Sequence, residues 1–309
     1  MRVRRATEAD YDRVLSFVLR DPLGWVDAGK YRQYLASGSY HANRIWLAQE
    51  HDRIVACAVW YVWSDDHSPI VDCLWVDPAV TDRAGLGAAV LQAGRASLQS
   101  AGSSDLEHHL FLSPGWRDDA ATCTEIEWRR AAARSAGLAM ERERLRYEWT
   151  PEAGVEPPTG RLVFSAESSD DVFLDAFRRV AVGSLDSDTR EGVARLGVDG
   201  QARETLQTHR SMRGRREWWR MAYTPDGHVA GFTIPSANED FPVIGYLGVV
   251  PEMRGHGYGH DLLAEATRIH QQEGARIIRA DTDVTNAPMA AAFERTRYRN
   301  FAVRLIFRS

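Results

Sequence analysis

At 309 residues the chain is longer than one hydrophobic core usually organises, so two domains of about 150 residues each are expected. Apolar residues at 44% and charged residues at 26% describe an ordinary globular protein, and a net charge of -5 without a basic tract excludes the electrostatic footprint of a nucleic-acid binder. No apolar run approaches the roughly 18 residues of a membrane span and the start has no apolar secretory core, so a cytoplasmic protein is expected. In chain order, Thr7 and Asp10 stand at capping-box spacing at the first helix start. Residues 44–48 and 54–60 then read as strands around the polar turn His51-Asp-Arg53, followed by an apolar run at 70–78. Gly85 and Gly87 open a weakly amphipathic helix carrying Ala88, Val90, Leu91 and Leu98, and a strand at 109–112 precedes another helix and a last strand.

Residues 151–160, rich in proline and glycine, block helix and strand pairing and mark the linker, which sets the expected domains at 1–150 and 161–309. Beyond it the same signals return in the same order at a nearly constant offset. Residues 218–223 and 228–233 flank the hairpin signal Asp226-Gly227, 243–251 is apolar, and Gly257 and Gly259 open a helix with Leu262, Leu263, Ala266 and Ile269 on one face. A strand at 277–280, a helix and a final strand follow, so both halves are α/β units of one plan. Cys57, Cys73 and Cys123 lie far apart without CxxC spacing, and His108 and His109 are neighbours on a strand that point to opposite faces, so no disulfide framework and no metal site are expected.

A strand ending at Val250-Pro251 and turning through Arg254-Gly-His-Gly-Tyr-Gly259 into a helix leaves a row of backbone N–H groups at a helix N-terminus, which suits phosphate. Gly255, Gly257 and Gly259 let the main chain approach an anion, and Arg254 supplies a cation. A Walker loop needs a lysine that is absent here, and a Rossmann fingerprint would open its domain rather than follow a hairpin. The stretch Val249-Val-Pro-Glu-Met-Arg-Gly-His-Gly-Tyr-Gly259 resembles motif A of the GNAT acetyltransferase superfamily, and Asp283-Val-Thr-Asn286 with Met289 through Tyr298 resembles its motif B. The tandem plan is similar to that of mycothiol synthase-type two-domain acetyltransferases.

The resemblance implies two tandem GNAT domains, each a mixed, splayed, mostly antiparallel sheet flanked by helices, with acetyl-CoA as co-substrate and no metal. It assigns acetyl-CoA to Gly248, Val249, Val250, Arg254, Gly255, His256, Gly257, Tyr258, Gly259, Asn286 and Phe293. Backbone N–H groups near Gly248 and Val249 would polarise the thioester carbonyl. A carboxylate takes the amine's proton, for which Glu239 and Asp240 ahead of the motif A strand are the first candidates and Asp281 and Asp283 the next. Phe293 stands where many members carry a tyrosine acid, so Tyr298, Tyr246 or Tyr258 takes that role, or the thiolate leaves unaided. In the first half Asp82 stands at the place of the arginine, opposing a diphosphate, and Trp60 and Trp63 offer themselves as walls of a substrate cleft. The implied function is N-acetylation of a small-molecule amine; the alternatives are a protein or peptide N-acetyltransferase and a non-catalytic acyl-CoA-binding module.

Overall fold

The computed structural model describes residues 1–62, 68–103, 105–238 and 240–309. The chain divides into two compact units, Met1–Glu143 with Val303–Ser309, and Arg144–Ala302. The expected boundary at 150 therefore differs from these units by two strand segments, and residues 151–160 lie within the second unit.

The first unit holds β1 (Arg2–Arg5), α1 (Tyr11–Val18), α2 (Ala28–Ser37), β2 (Ile45–Glu50), β3 (Arg53–Tyr61), β4 (Ile70–Val76), α3 (Arg83–Ser100), β5 (Glu107–Leu112), α4 (Ala120–Ser135) and the start of β6 (Met140–Trp149). Its sheet runs β1-β2-β3-β4-β5 and closes on the last residues of the chain, 303–308, which pair antiparallel with β5. The expected capping box forms, with Thr7 N–H donating to Asp10 Oδ2 at 2.8 Å. Trp60 does not line a cleft: it is fully buried, and its indole lies where a Cβ on Gly94 of α3 would stand. Trp63 lies outside the described residues.

The second unit continues β6 and adds β7 (Val163–Ala166), α5 (Asp170–Ala181), α6 (Ser187–Ser211), β8 (Arg220–Tyr223), β9 (Val229–Ala237), β10 (Pro242–Val249), α7 (Tyr258–Gln272), β11 (Ile278–Asp283), α8 (Ala287–Arg295) and the start of β12 (Arg299–Arg308). Its sheet order is β6-β11-β10-β9-β8-β7, antiparallel except for β10 beside β11. On one face Phe173, Ala176, Phe177 and Val180 of α5, spaced as a helix stripe, pack with Leu206 of α6 onto Phe232 and Ile234. On the other, Leu262 and Leu263 of α7 meet Ala230, Ile278 and the partly buried Leu247 and Val249. Tyr246 belongs to the first face, stacked on Phe232 at 5.5 Å, so alternate residues of β10 serve the two layers. Each unit is thus the same mixed α/β plan, with one parallel pair in a mostly antiparallel sheet. Among the described residues no helix is long and apolar enough to cross a membrane.

Candidate active site

The parallel pair of the second unit parts almost at once. Among the described residues β10 and β11 share register only at Val243↔Arg279, and β10 then runs on to Val249 while β11 runs on to Asp283. Val250 donates its N–H to Ala230 of β9 at 3.1 Å, so antiparallel alternation turns Gly248 toward β9 and leaves the N–H groups of Leu247 and Val249 pointing to the β11 side. The Gly248 N–H, expected along the gap, thus faces β9. Gly248 has a packing reason for its missing side chain, since a Cβ there would meet Val180 Cγ1 of α5 at 2.9 Å.

Past Val250 the chain makes one short turn and enters the glycine loop. Gly255 (φ 82) and Gly257 (φ 77) take left-handed backbone that other residues resist, and Gly257 caps α7 without a side-chain acceptor. Met253 and Arg254 donate their N–H groups to Val250 and Pro251, and His260 donates to Gly257. Among the described residues, the N–H groups of 255–259 between them have no protein acceptor, and a Cβ on Gly255 or Gly259 would meet nothing within 4 Å. An open row of donors at the positive end of a 15-residue helix fits an anionic diphosphate.

Arg254, expected to supply a cation at the loop, is held on main-chain carbonyls. Its guanidinium donates to the carbonyls of Val182 (2.8 Å), Val180 (2.9 Å), Gly183 (3.2 Å) and Val249 (3.3 Å), closing the C-terminal end of α5, where carbonyls lack helical partners. The cation beside the loop is Arg161, which donates to the His256 carbonyl at 2.9 Å, pairs with Asp261 in the first turn of α7, and lies over the Tyr258 ring at 5.4 Å. Thr159 holds the other oxygen of Asp261 at 2.6 Å. Sequence reading passed over Arg161 because it stands just past the Pro/Gly-rich stretch, far from the loop in the chain, and no local signal ties it to Asp261. His256 turns its ring onto Tyr258 and its Nδ1 onto the carbonyls of Met253 and Arg254.

Asn286 caps α8, its side chain accepting from Met289 N–H at 3.4 Å, as the motif implies. Phe293, expected beside the cofactor, instead sits 2% exposed in the core, stacked on Tyr147 at 4.6 Å, because the α8 face that carries it packs against β6. Tyr298, expected to donate a proton, is 3% exposed and exchanges a hydrogen bond of 2.7 Å with Thr267 of α7, and burial pushes its hydroxyl well above the usual phenol range. Tyr246 is likewise pushed up by burial, to about 12.

Glu239 lies outside the described residues; Asp240 is exposed in the bend before β10, its N–H bound to Asn238 Oδ1 at 2.9 Å. Asp281 pairs with Arg146 at 3.3 Å. Asp283 is buried, accepting from both the N–H (2.6 Å) and the hydroxyl (2.5 Å) of Ser187, which fastens the start of α6 to the end of β11. The structure therefore brings the loop, the parting strands and Asn286 into one unit and sets Phe293 and Tyr298 apart in its core.

The corresponding loop of the first unit is closed. Asp82 caps α3 by accepting from Gly85 N–H at 2.7 Å, and Gly85 and Gly87 lie inside the helix rather than before it. Asp82 takes the donor that an anion would need and places its own charge there.

Residues 194–297 match the acetyltransferase (GNAT) family, a span that holds the hairpin, the glycine loop, α7 and α8. That span carries a GNAT acetyltransferase domain. Its whole length is similar in fold to a GCN5-related N-acetyltransferase from Sphaerobacter thermophilus, at 16% identity over 100% of this chain and 95% of that one with a TM-score of 0.59. It is also similar to a tandem GNAT protein from the clavulanic acid biosynthesis pathway, at 16% identity over 100% and 98% of the two chains with a TM-score of 0.50. A GCN5-related glucosamine N-acetyltransferase region of a fungal multi-domain beta-N-acetylglucosaminidase aligns with 99% of this chain and 38% of that one, at 15% identity and a TM-score of 0.55. At such identities these likenesses establish the fold, a tandem GNAT architecture, and the GNAT family uses acetyl-CoA as co-substrate. No curated protein is similar enough in sequence to count as a relative.

Proposed function

We propose that the second unit transfers the acetyl group of acetyl-CoA directly to the amine of a small molecule. The observation that carries this reading is the row of unpartnered N–H groups at 255–259, set where β10 has parted from β11. Acetyl-CoA supplies the activated acyl group. The loop donors and Arg161 hold its diphosphate, and the Leu247 and Val249 N–H groups stand along the gap to bind its arm and polarise the thioester carbonyl. Asn286 flanks the other wall of the gap. The amine must arrive neutral, and Glu239 or Asp240, ahead of β10 in the chain, takes its proton through water. As the new C–N bond forms and the C–S bond breaks, the thiolate leaves without a tyrosine acid, which a thiol of pKa near ~8.5 permits. The structural neighbours from clavulanic acid biosynthesis and glucosamine acetylation are described by small-molecule chemistry, which supports a small acceptor here. The buried Phe293 and Tyr298 favour one other reading, a module that binds acyl-CoA without turning it over.

The test is thiol release from acetyl-CoA in the presence of a panel of small amines and a panel of peptides, with the products identified by mass. Acetylation of small amines with one thiol released per product is the expected result. Turnover of peptides alone would move the reading to a protein acetyltransferase, and acetyl-CoA binding without any acetylated product would replace it with the non-catalytic module.

A further inference from the structure

Where the end of α6, the start of α5 and the end of β9 meet, the second unit has an open cavity of about 490 Å³, a volume suited to a small molecule. Its lining carries four arginines, Arg210, Arg213, Arg215 and Arg216, against one acid, Asp170. Asp170 is shared, accepting from Arg210 at 2.6 Å and pairing with Arg216 at 3.0 Å, so one carboxylate answers two guanidiniums. Arg215 is answered outside the lining, by Glu217 and Glu273.

Arg216 is held in advance. Its guanidinium lies over the rings of Trp219 (4.1 Å) and Phe173 (4.7 Å), its Nε donates to the Glu167 carbonyl at 3.2 Å, and its buried Nη2 finds no partner among the described residues. His209, on the same lining, has a buried Nδ1 that is also without a partner, and burial pushes its pKa down to about 4, so the ring is neutral near pH 7. A buried guanidinium N–H without an acceptor is costly. A planar guanidinium fixed on aromatic faces matches the oxygens of a carboxylate or phosphate.

The cavity adjoins the transfer strand. Ser236, on its lining, is so close to β10 that a Cβ on Gly245 would meet its Oγ at 2.5 Å, and the ladder shifts register there, between Ile244 and Tyr246. His209 lies 5.5 Å from the Tyr246 ring. From Gly245 to Leu247, whose N–H faces the gap, is about 7 Å of strand.

We propose that this cavity binds the anionic group, a carboxylate or phosphate, of the acceptor amine, so that acceptors are amines with an anion several bonds from the nitrogen. The proposal rests on the small-amine transferase reading above. Two measurements on the full chain separate them: calorimetric titration with succinate and, apart from it, with acetyl-CoA; and kcat/KM for 5-aminovalerate against pentylamine. Wild type should bind succinate at one site and prefer 5-aminovalerate about tenfold or more. Arg216→Gln and the exposed Arg213→Gln should each lose succinate binding and that preference, through KM rather than kcat, with acetyl-CoA affinity within about twofold. Arg213→Gln keeps the test in hand if loss of the aromatic stack unfolds Arg216→Gln. No saturable succinate binding by a protein that still binds acetyl-CoA, or equal turnover of the two amines, overturns the cavity proposal alone. Failure to bind acetyl-CoA overturns the transferase reading and the acceptor assignment with it.

Discussion

Arg254 directs its guanidinium to four main-chain carbonyls, three of them at the end of α5. Arg254→Gln should lower stability by about 1–3 kcal/mol, from lost charge-assisted bonds, while leaving acetyl-CoA affinity within a few fold; thermal melts and calorimetry together check this, and a large affinity loss at unchanged stability would restore the direct phosphate contact. Tyr298→Phe removes one hydroxyl that is bonded to Thr267, so it should cost about 1 kcal/mol and leave kcat within about twofold. A hundredfold fall in kcat would mean that the hydroxyl reaches the leaving thiolate after all. These two side chains also mark what the sequence made legible. The spacing of Arg254, Gly255, Gly257 and Gly259 between an apolar strand and an amphipathic helix exposed the loop at once. Where the Arg254 fork points was not legible, since its acceptors come from the end of α5, whose position depends on the packing of Val180 and Phe177 on the sheet.

Among elements, β10 is the one on which both layers and the gap depend. Its residues alternate between the α5 face and the α7 face, and Gly248 permits α5 to close on it. Gly248→Ala should therefore be destabilising by about 1–3 kcal/mol through overpacking against Val180, read as a lower denaturation midpoint at unchanged m-value. A neutral outcome would show that α5 can shift freely. The internal repeat made the order of strands and helices readable in both halves, since hairpin signals, apolar runs and glycine pairs recur. The glycine pairs alone do not separate the two loops, but Asp82 at the place of the arginine already marks the first as opposed to a diphosphate. Asp82 decides the matter by capping α3 itself, which extends the helix back over both glycines.

At the scale of the molecule, the strand segments 144–149 and 303–309 belong to the unit opposite the half of the sequence that carries them. Composition points to a linker at 151–160, but strand membership is settled by pairing partners far away in sequence, such as Val303 with Leu112, which no local signal announces. The first unit also carries a pH signature of its own. Burial pushes the Asp72 carboxyl up from 3.8 to about 7, only partly offset by the hydrogen bond from Tyr40 and the charge of Lys30. A raised carboxyl pKa means that the fold holds the proton, so this contribution to stability is full below about 3.8 and is lost as pH rises through about 7. Asp72→Asn should accordingly stabilise the protein more at pH 8 than at pH 4, as compared by melting curves, and an equal effect at both would show that Asp72 does not titrate in this range.

The central claim is one acetyl-CoA site per chain, at the open loop of the second unit, and calorimetric titration of acetyl-CoA into wild type and Gly257→Glu tests it most directly. Gly257 combines a left-handed φ of 77 with a place at the head of α7, so the variant adds strain, bulk and negative charge at the donor row. One site per chain in wild type, weakened about a hundredfold or more in a folded variant, is the expected result. Two sites would open the first unit's loop to the cofactor, and binding that survives in Gly257→Glu would contradict the assignment of the diphosphate to residues 255–259.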